Sequence, residues 1–494
     1  MKKTISNILF AALVIATAAS CQKDSDFESQ AETNGSRVLV ASFDQAITRT
    51  TLDDHTPKWA KDDVITLTDG TNAQNFTLVA SVTDATNQGL ITDGGAKFTV
   101  TVPSSWGTTI YGCYPASAFD EISEGAVAIN IPSEQDGSFA KANICTASTT
   151  GNTLPFKNAT ALLKITTEEA TKAVNIAISG ASSITLTPSS AGVNYVAIPT
   201  GKPFKDFTFT AIKTATNWAA KTSSQSTVIE RNKIYDLGAV GGWTYNEDGN
   251  TLWSQFTVNG DDKKVRFSKG NLWCNTSSSP VTWSFESNQY DYRHHSSATY
   301  DAAVINGAVT TTPSGTVGSF FWSKTASVAY ALTWVDASRT VSDTFFADDA
   351  SVMGAEWKAL TGGADGEWKY LLETRTNAAN LIKINVSVCG IAKCLVLAPD
   401  CFSGTIADSY TTETWSNAEA IYGLVCLPPT GWRNGSSVQN VGVGGSYWSA
   451  TPSALDNAYG VYFSDSYSSD KFQTAGNYGR YGGDFVRLVR TASN

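Results

Sequence analysis

From Val38 to Val240 the chain is a succession of short runs that turn formers keep interrupting. Val38–Phe43, Lys97–Val102 and Phe207–Ile212 are rich in β-branched and aromatic residues, and the last alternates cleanly between apolar and polar positions. Gly, Asn, Asp, Pro and Ser fill the stretches between them. A side-chain period of two, cut by turn residues, builds strands, and no convincing amphipathic helix competes in this half. The spacing predicts β-sandwich packing and a chain that is mainly β.

Length and charge narrow the reading further. The 494 residues exceed one ordinary core and suggest two or three domains. An apolar fraction of 42% is too high for disorder. With 35 Lys+Arg against 45 Asp+Glu the formal net charge is −10, and basic clusters are lacking. Phosphate backbones need clustered positive charge, so nucleic acid is not an expected partner.

The N-terminus carries an address. Lys2 and Lys3 precede the short apolar run Ile8–Thr17, and Ala18-Ala19-Ser20-Cys21 is similar to a relaxed lipobox. Residues 1–20 read as a lipoprotein signal peptide, Cys21 as the lipidated residue, and 21–36 as a tether. The alternative is a secretory peptide cleaved nearby. Acyl chains on Cys21 would anchor the protein without a membrane-spanning helix. Gln22–Glu28 resembles the charged tether of Bacteroidetes surface lipoproteins, which implies the outer face of the cell outer membrane; a periplasm-facing lipoprotein is the alternative. Of the other cysteines, Cys113, Cys145, Cys274, Cys389, Cys394, Cys401 and Cys426, an odd seven cannot all pair, so no disulfide scaffold is expected. Cys389 and Cys394 either bridge a hairpin or remain free thiols. A zinc site at Cys389, Cys394 and Cys401 lacks close pairs and histidines.

Several segments of the first half, in order, resemble the fimbrillin family of Bacteroidetes pilins. They are Thr48-Arg49-Thr50, Trp59 with Asp62-Asp63 and Ile65, Tyr111–Pro115, Val127–Pro132 leading to Gln135, Leu154–Ala159 and Arg231–Gly238. The resemblance implies two stacked β-sandwich lobes over 37–240, divided at about 37–150 and 151–240, and other pilus subunits as partners. It also implies maturation by cleavage after an arginine that frees an N-terminal strand. Arg37 and Arg49 flank the first apolar run, and either could be that site.

Residues 241–250 read as a linker, after which composition changes: ten of the 14 Trp follow Asn250. One helix is expected within Glu367–Glu373, with Asp365 as its cap and Trp368, Leu371 and Leu372 on one face. Val265–Leu272, Trp283–Phe285, Glu367–Leu371, Leu395–Asp400, Leu427–Gly435, Tyr447–Thr451 and Phe485–Arg490 resemble the C-type-lectin-like domains of Bacteroidetes surface lipoproteins. That resemblance implies an α+β domain over 251–494. Residues 290–350 depart from its pattern and read as an insertion.

Most catalytic chemistry fails on inventory. His55, His294 and His295 are the only histidines, and neither HExxH nor GxSxG occurs. Adjacent His294 and His295 point to opposite faces of a strand and suit a surface loop better than a metal. Val441–Gly445 lacks the Lys-Ser/Thr of a phosphate loop and reads as a turn. No catalytic residue, metal or cofactor is expected, and neither Glu-Pro-Asn nor Gln-Pro-Asp is present for calcium-dependent sugar capture. Carboxylate pairs remain open, because spacing in sequence does not give separation in space.

Ser446–Asp484 is the most informative stretch. Of its 39 residues, 24 are Ser, Tyr, Asp, Asn or Gly, the mixture that binding loops favour. Tyr462, Asp465, Tyr467, Asn477, Tyr478 and Tyr481 are the expected contacts, on a frame of Trp448, Val461, Phe463, Phe485, Leu488 and Val489. The sequence therefore reads as a surface adhesin, at a pilus tip or standing alone. Its expected ligand is a glycan or protein on host or neighbouring cells. A structural pilin or pilus anchor, and an enzyme acting on surface polysaccharide, are the alternatives.

Overall fold

The computed structural model describes residues 36–43, 58–83, 87–246, 248–298, 303–464 and 472–492. Cys21, Arg49, His55, Asp465 and Tyr467 lie outside them. The chain is mainly β, and it divides into two compact units. One comprises the residues up to Phe209 together with Lys221–Trp243; the other comprises Thr210–Ala220 with Thr244–Asn494.

In the first unit eight strands close into a barrel. They are β1 (Arg37–Phe43), β2 (Val64–Thr68), β3 (Ala73–Val79), β4 (Gln88–Thr92), β5 (Lys97–Val102), β6 (Ile110–Tyr114), β7 (Cys145–Thr149) and β8 (Thr153–Asn158). β1 makes the closure. It runs antiparallel to β5, from Arg37↔Val102 to Ser42↔Lys97, and parallel to β8, from Val40↔Thr153 to Phe43↔Phe156. Alternation turns Leu39 and Ala41 inward, onto a core containing Phe76, Phe98, Phe156 and Trp59. Phe43 stacks on Trp59 with centroids 4.0 Å apart. Closure leaves no open edge in this sheet, which is how the first lobe satisfies its backbone.

Downstream, β9 (Ala161–Thr167) lies between β10 (Gly192–Ile198), antiparallel, and β11 (Ile234–Ala239), parallel. Gln135 splices a neighbouring segment to this sheet. Its Nε2 donates to the carbonyls of Pro132 and Ala197, while its Oε1 accepts the Ala197 N–H.

The second unit opens and closes on one sheet, in which Lys264–Phe267 pairs with Leu488–Thr491. Its tryptophans fill the interior: Trp322, Trp357, Trp368, Trp415 and Trp448 are all buried. Trp448 Nε1 donates to the Phe320 carbonyl at 2.7 Å, and Trp322 Nε1 to that of Ser449 at 2.8 Å. A three-stranded meander, β12 (Gly444–Pro452), β13 (Asn457–Ser464) and β14 (Phe472–Gly479), carries the Tyr-rich stretch.

Several expectations need correction. The helix at Glu367 starts without a cap from Asp365. Gly366 occupies the cap position, and Thr361 Oγ1 accepts the Glu367 N–H while Glu367 Oε2 accepts that of Thr361. One turn of α-helix then widens into a π-turn over Tyr370–Thr374, with Trp368, Leu371 and Leu372 buried as expected. A longer helix, Thr412–Ile421, starts from a capping box formed by Thr411 and Thr414. Its signal is faint because threonine stands where Glu or Gln usually does. His294 is fully buried rather than in a surface loop. Its ring meets Phe485 edge-on at 5.1 Å, and its Nε2 lies 2.9 Å from the Thr430 carbonyl. The flanking strand Tyr292–Arg293 enters the core and takes His294 with it, and burial lowers its imidazole to about 3. None of the seven described cysteines forms a disulfide, Cys389 lying in a turn and Cys394 beside Cys426 in the core.

Candidate functional site

The meander sorts the tyrosines by what lies under each ring. Val461 and Phe463 face inward and are buried, together with Trp448, Phe485, Leu488 and Val489, so the six expected frame residues are all interior. Tyr462 is half-buried. Its ring lies on Gly444, where a Cβ would come within 2.9 Å of Tyr462 Cζ. Tyr478 is half-buried too, across the paired glycines Gly460 and Gly476, and its hydroxyl donates to Gln473 Oε1 at 3.1 Å. Tyr459 covers Gly362 and Gly363. A glycine in a strand leaves its pleat uncovered, and a neighbouring aromatic ring restores the lost contact. The Tyr/Gly composition of this stretch thus has a packing function wherever a ring covers a glycine.

Two of the expected contact residues lie elsewhere, at one corner of the unit. Three turns meet there. The β12–β13 turn Ser453–Asp456 meets the turn at Arg480–Tyr481 through the Arg480 N–H, which donates to the Asp456 carbonyl at 2.9 Å. The Ser453 hydroxyl donates to Asn477 Oδ1 at 2.5 Å, fixing the exposed Asn477 amide. Arg339, from a loop before these strands, pairs with Asp456 at 2.6 Å and places its guanidinium 5.0 Å from the Trp334 ring centroid. Tyr481 covers Gly479 with one part of its ring and stands 6.5 Å from Trp334 in an edge-on arrangement. At 52% exposure it is the one aromatic among the most exposed large apolar residues described.

The loop carrying Trp334 and Arg339 is held from beneath by two arginines that are themselves fully buried. Arg433 lies over Phe321 and donates to the carbonyls of Ala331, Leu332, Ser319 and Gly435. Arg480 lies over Trp322, pairs with buried Asp343 at 3.0 Å, and donates to the Thr340 carbonyl at 2.8 Å. Charge-assisted bonds in a low-dielectric interior are strong, so both ends of the segment Ala331–Asp343 are fixed. Trp334 and Arg339 escape a reading of the sequence because they fall in the apparent insertion.

Other ionisable groups are structural. Asp484 is buried, accepts from Ser446, and is raised by burial to about 7. Arg487 is buried against the Gln289 side chain at 3.1 Å. Among the described residues no group of three or more His, Cys, Asp or Glu is placed to hold a metal, and no helix is long and apolar enough to cross a membrane.

Residues 285–488 match a family model described as a domain of unknown function, DUF8237. No curated relative matches the chain. Among solved structures, the chain is similar to a candidate cell adhesion protein from Bacteroides uniformis at 14% identity and a TM-score of 0.25, over 43% of this chain and 97% of that one. A fimbrial protein from Bacteroides ovatus is 9% identical with a TM-score of 0.24, over 93% and 100%. A candidate cell adhesion protein from Bacteroides fragilis is 11% identical with a TM-score of 0.20, over 40% and 87%. At these scores the likeness carries no argument, and the reading of this chain rests on its own residues.

Proposed function

We propose that the chain is a lipid-anchored surface adhesin. A fimbrillin-like module over 37–240 would carry a C-type-lectin-like domain over 251–494, which engages a glycan or protein on host or neighbouring cells. The observation that carries this reading is the corner where half-buried Trp334 meets exposed Tyr481, on a loop fixed by buried arginines. Contact hot spots are enriched in Trp, Tyr and Arg, and rigidity lowers the entropic cost of binding. An array of glycans and host proteins, probed with the full mature chain, tests it. Trp334→Ala with Tyr481→Ala should lower any signal at least tenfold, and equal binding by wild type and variant would move the site elsewhere.

A second reading, a pilin subunit that exchanges strands, is favoured by the placement of β1. A single strand closes the barrel between β5 and β8, so its removal would open a groove with two unpaired edges. Arg37 is the first residue of β1, and its guanidinium donates to the carbonyls of Thr108 (2.6 Å) and Gly151. Cleavage there would leave β1 seated, whereas cleavage after Arg49 would release it. N-terminal sequencing of the surface form separates the readings: a start at Thr50 supports exchange, and a start at Cys21 supports a stand-alone adhesin.

A further inference from the structure

The second unit reaches back in the sequence for a hairpin. Thr210–Ala220 belongs to it, although the residues that follow, Lys221–Trp243, do not. Few contacts seat the hairpin. Ala215 at its tip is buried in the core that holds Leu252, Phe256 and Phe267, and its carbonyl accepts the Trp253 N–H at 3.0 Å. Trp218 Nε1 donates to the Thr251 carbonyl at 3.1 Å. The ladder to Tyr245–Asn246 has only the pairs Trp218↔Asn246 and Ala219↔Tyr245, and the Lys213 ammonium lies 4.0 Å from the Tyr245 ring centroid.

Beneath Trp218 lies a charge that nothing answers. Arg266 places its guanidinium 4.1 Å from the Trp218 ring centroid and is only 5% exposed. Its Nη1 is buried without a hydrogen-bond partner, and no described carboxylate pairs with it. Burial lowers its guanidinium to about 10, and the neighbouring Cys401 thiol is raised by burial to about 12, so it stays uncharged. Directly across the ladder stands another cation, Arg490, whose carboxylates are Asp248 at 2.7 Å and Glu356 at 3.8 Å. A cation over an indole face recovers part of the hydration it loses, but a buried guanidinium is well held only when its donors are met too. Arg433 and Arg480 meet that condition through loop carbonyls and Asp343, and Arg266 does not.

We infer that Thr210–Ala220 is a strap poised to open, which completes the second unit when seated and leaves it first because of the charge sealed under Trp218. Opening returns Arg266 to water and frees the Thr251 carbonyl and the Trp253 N–H. The sheet beneath keeps its own bonds: the Leu252 N–H still reaches the Phe267 carbonyl, and the Ser268 N–H that of Leu488. The strap is a property of the second unit alone, with or without a ligand.

Hydrogen exchange on the full chain, read by mass spectrometry with fragmentation to single amides, tests the strap. In the wild type the Trp253 amide should exchange at least about tenfold faster than those of Leu252 and Ser268. Arg266→Met keeps much of the volume and removes the charge, so it should slow Trp253 at least about threefold. Trp218→Phe keeps a ring over Arg266 but loses the bond to Thr251, and should speed Trp253 at least about threefold. An unaltered Ser268 rate shows that each variant is folded. A wild-type Trp253 amide that exchanges no sooner than Ser268 overturns the strap without recourse to any variant. So does an Arg266→Met chain in which Trp253 exchange is unchanged or faster, because the buried charge would then hold the hairpin rather than loosen it.

Discussion

At the residue scale, Asp484 makes stability depend on pH. Its carboxyl is buried beside the Ser446 hydroxyl, and burial raises it to about 7. Between roughly pH 4 and 7 the folded chain therefore holds a proton that the unfolded chain releases, so this group's contribution to stability declines as pH rises through that window. His294 has the opposite sign: burial lowers it to about 3, so its contribution is lost as pH falls below roughly 6.5. Comparing Asp484→Asn with wild type isolates the first effect. The variant should be more stable by roughly 2–4 kcal/mol at pH 8 and about equal at pH 4, measured by denaturant melts. An unchanged difference across that range would remove Asp484 from the account. The tyrosines separate on the same scale. Tyr478→Ala uncovers Gly460 and Gly476 and should cost about 1–2 kcal/mol, whereas Tyr481→Ala, which uncovers Gly479 at a half-exposed ring, should cost less, about 0.5–1. Trp448→Ala should cost about 3–5 kcal/mol, because it leaves a large cavity and an unpaired Phe320 carbonyl.

At the scale of elements, the segment Ala331–Asp343 has no regular hydrogen-bonded ladder, and buried arginines replace one. Arg433 and Arg480 satisfy loop carbonyls that water would otherwise have to reach. Arg480→Met keeps much of the volume but leaves Asp343 buried with only Lys324 as a charged partner. Breaking such a pair should cost about 3–5 kcal/mol, and amide exchange over Trp334–Val341 should rise well before the meander opens. Protection in that loop equal to wild type would show that Arg433 alone holds it. The barrel is the contrasting element, since β1 is held by ladders on both sides and by the inward Leu39 and Ala41.

At the scale of the whole molecule, the proposed anchorage at Cys21 is separable from folding. Cys21→Ser should release the chain from the membrane fraction without shifting its melting midpoint, because the residue precedes the first described strand. Wild-type fractionation of that variant would refute lipidation at Cys21. The alternation of Phe207–Ile212, the turn formers and the run of tryptophans after Asn250 are enough to specify a mainly β chain with a distinct second core. The inward set of Trp448, Val461, Phe463, Phe485, Leu488 and Val489 is legible for the same reason: strand periodicity is local and survives in one dimension. Three other features are decided in three dimensions. The barrel closes through β1 because residues more than a hundred positions apart pair in register. Tyr459 and Tyr462 find their places by covering glycines of neighbouring segments, and Tyr478 covers Gly460 across the strand pair, which spacing along the chain does not encode. Arginine is a residue type that is mostly exposed, yet Arg433 and Arg480 end in the core because distant carbonyls and Asp343 converge on them, and burial of charge is settled by partners rather than by residue type.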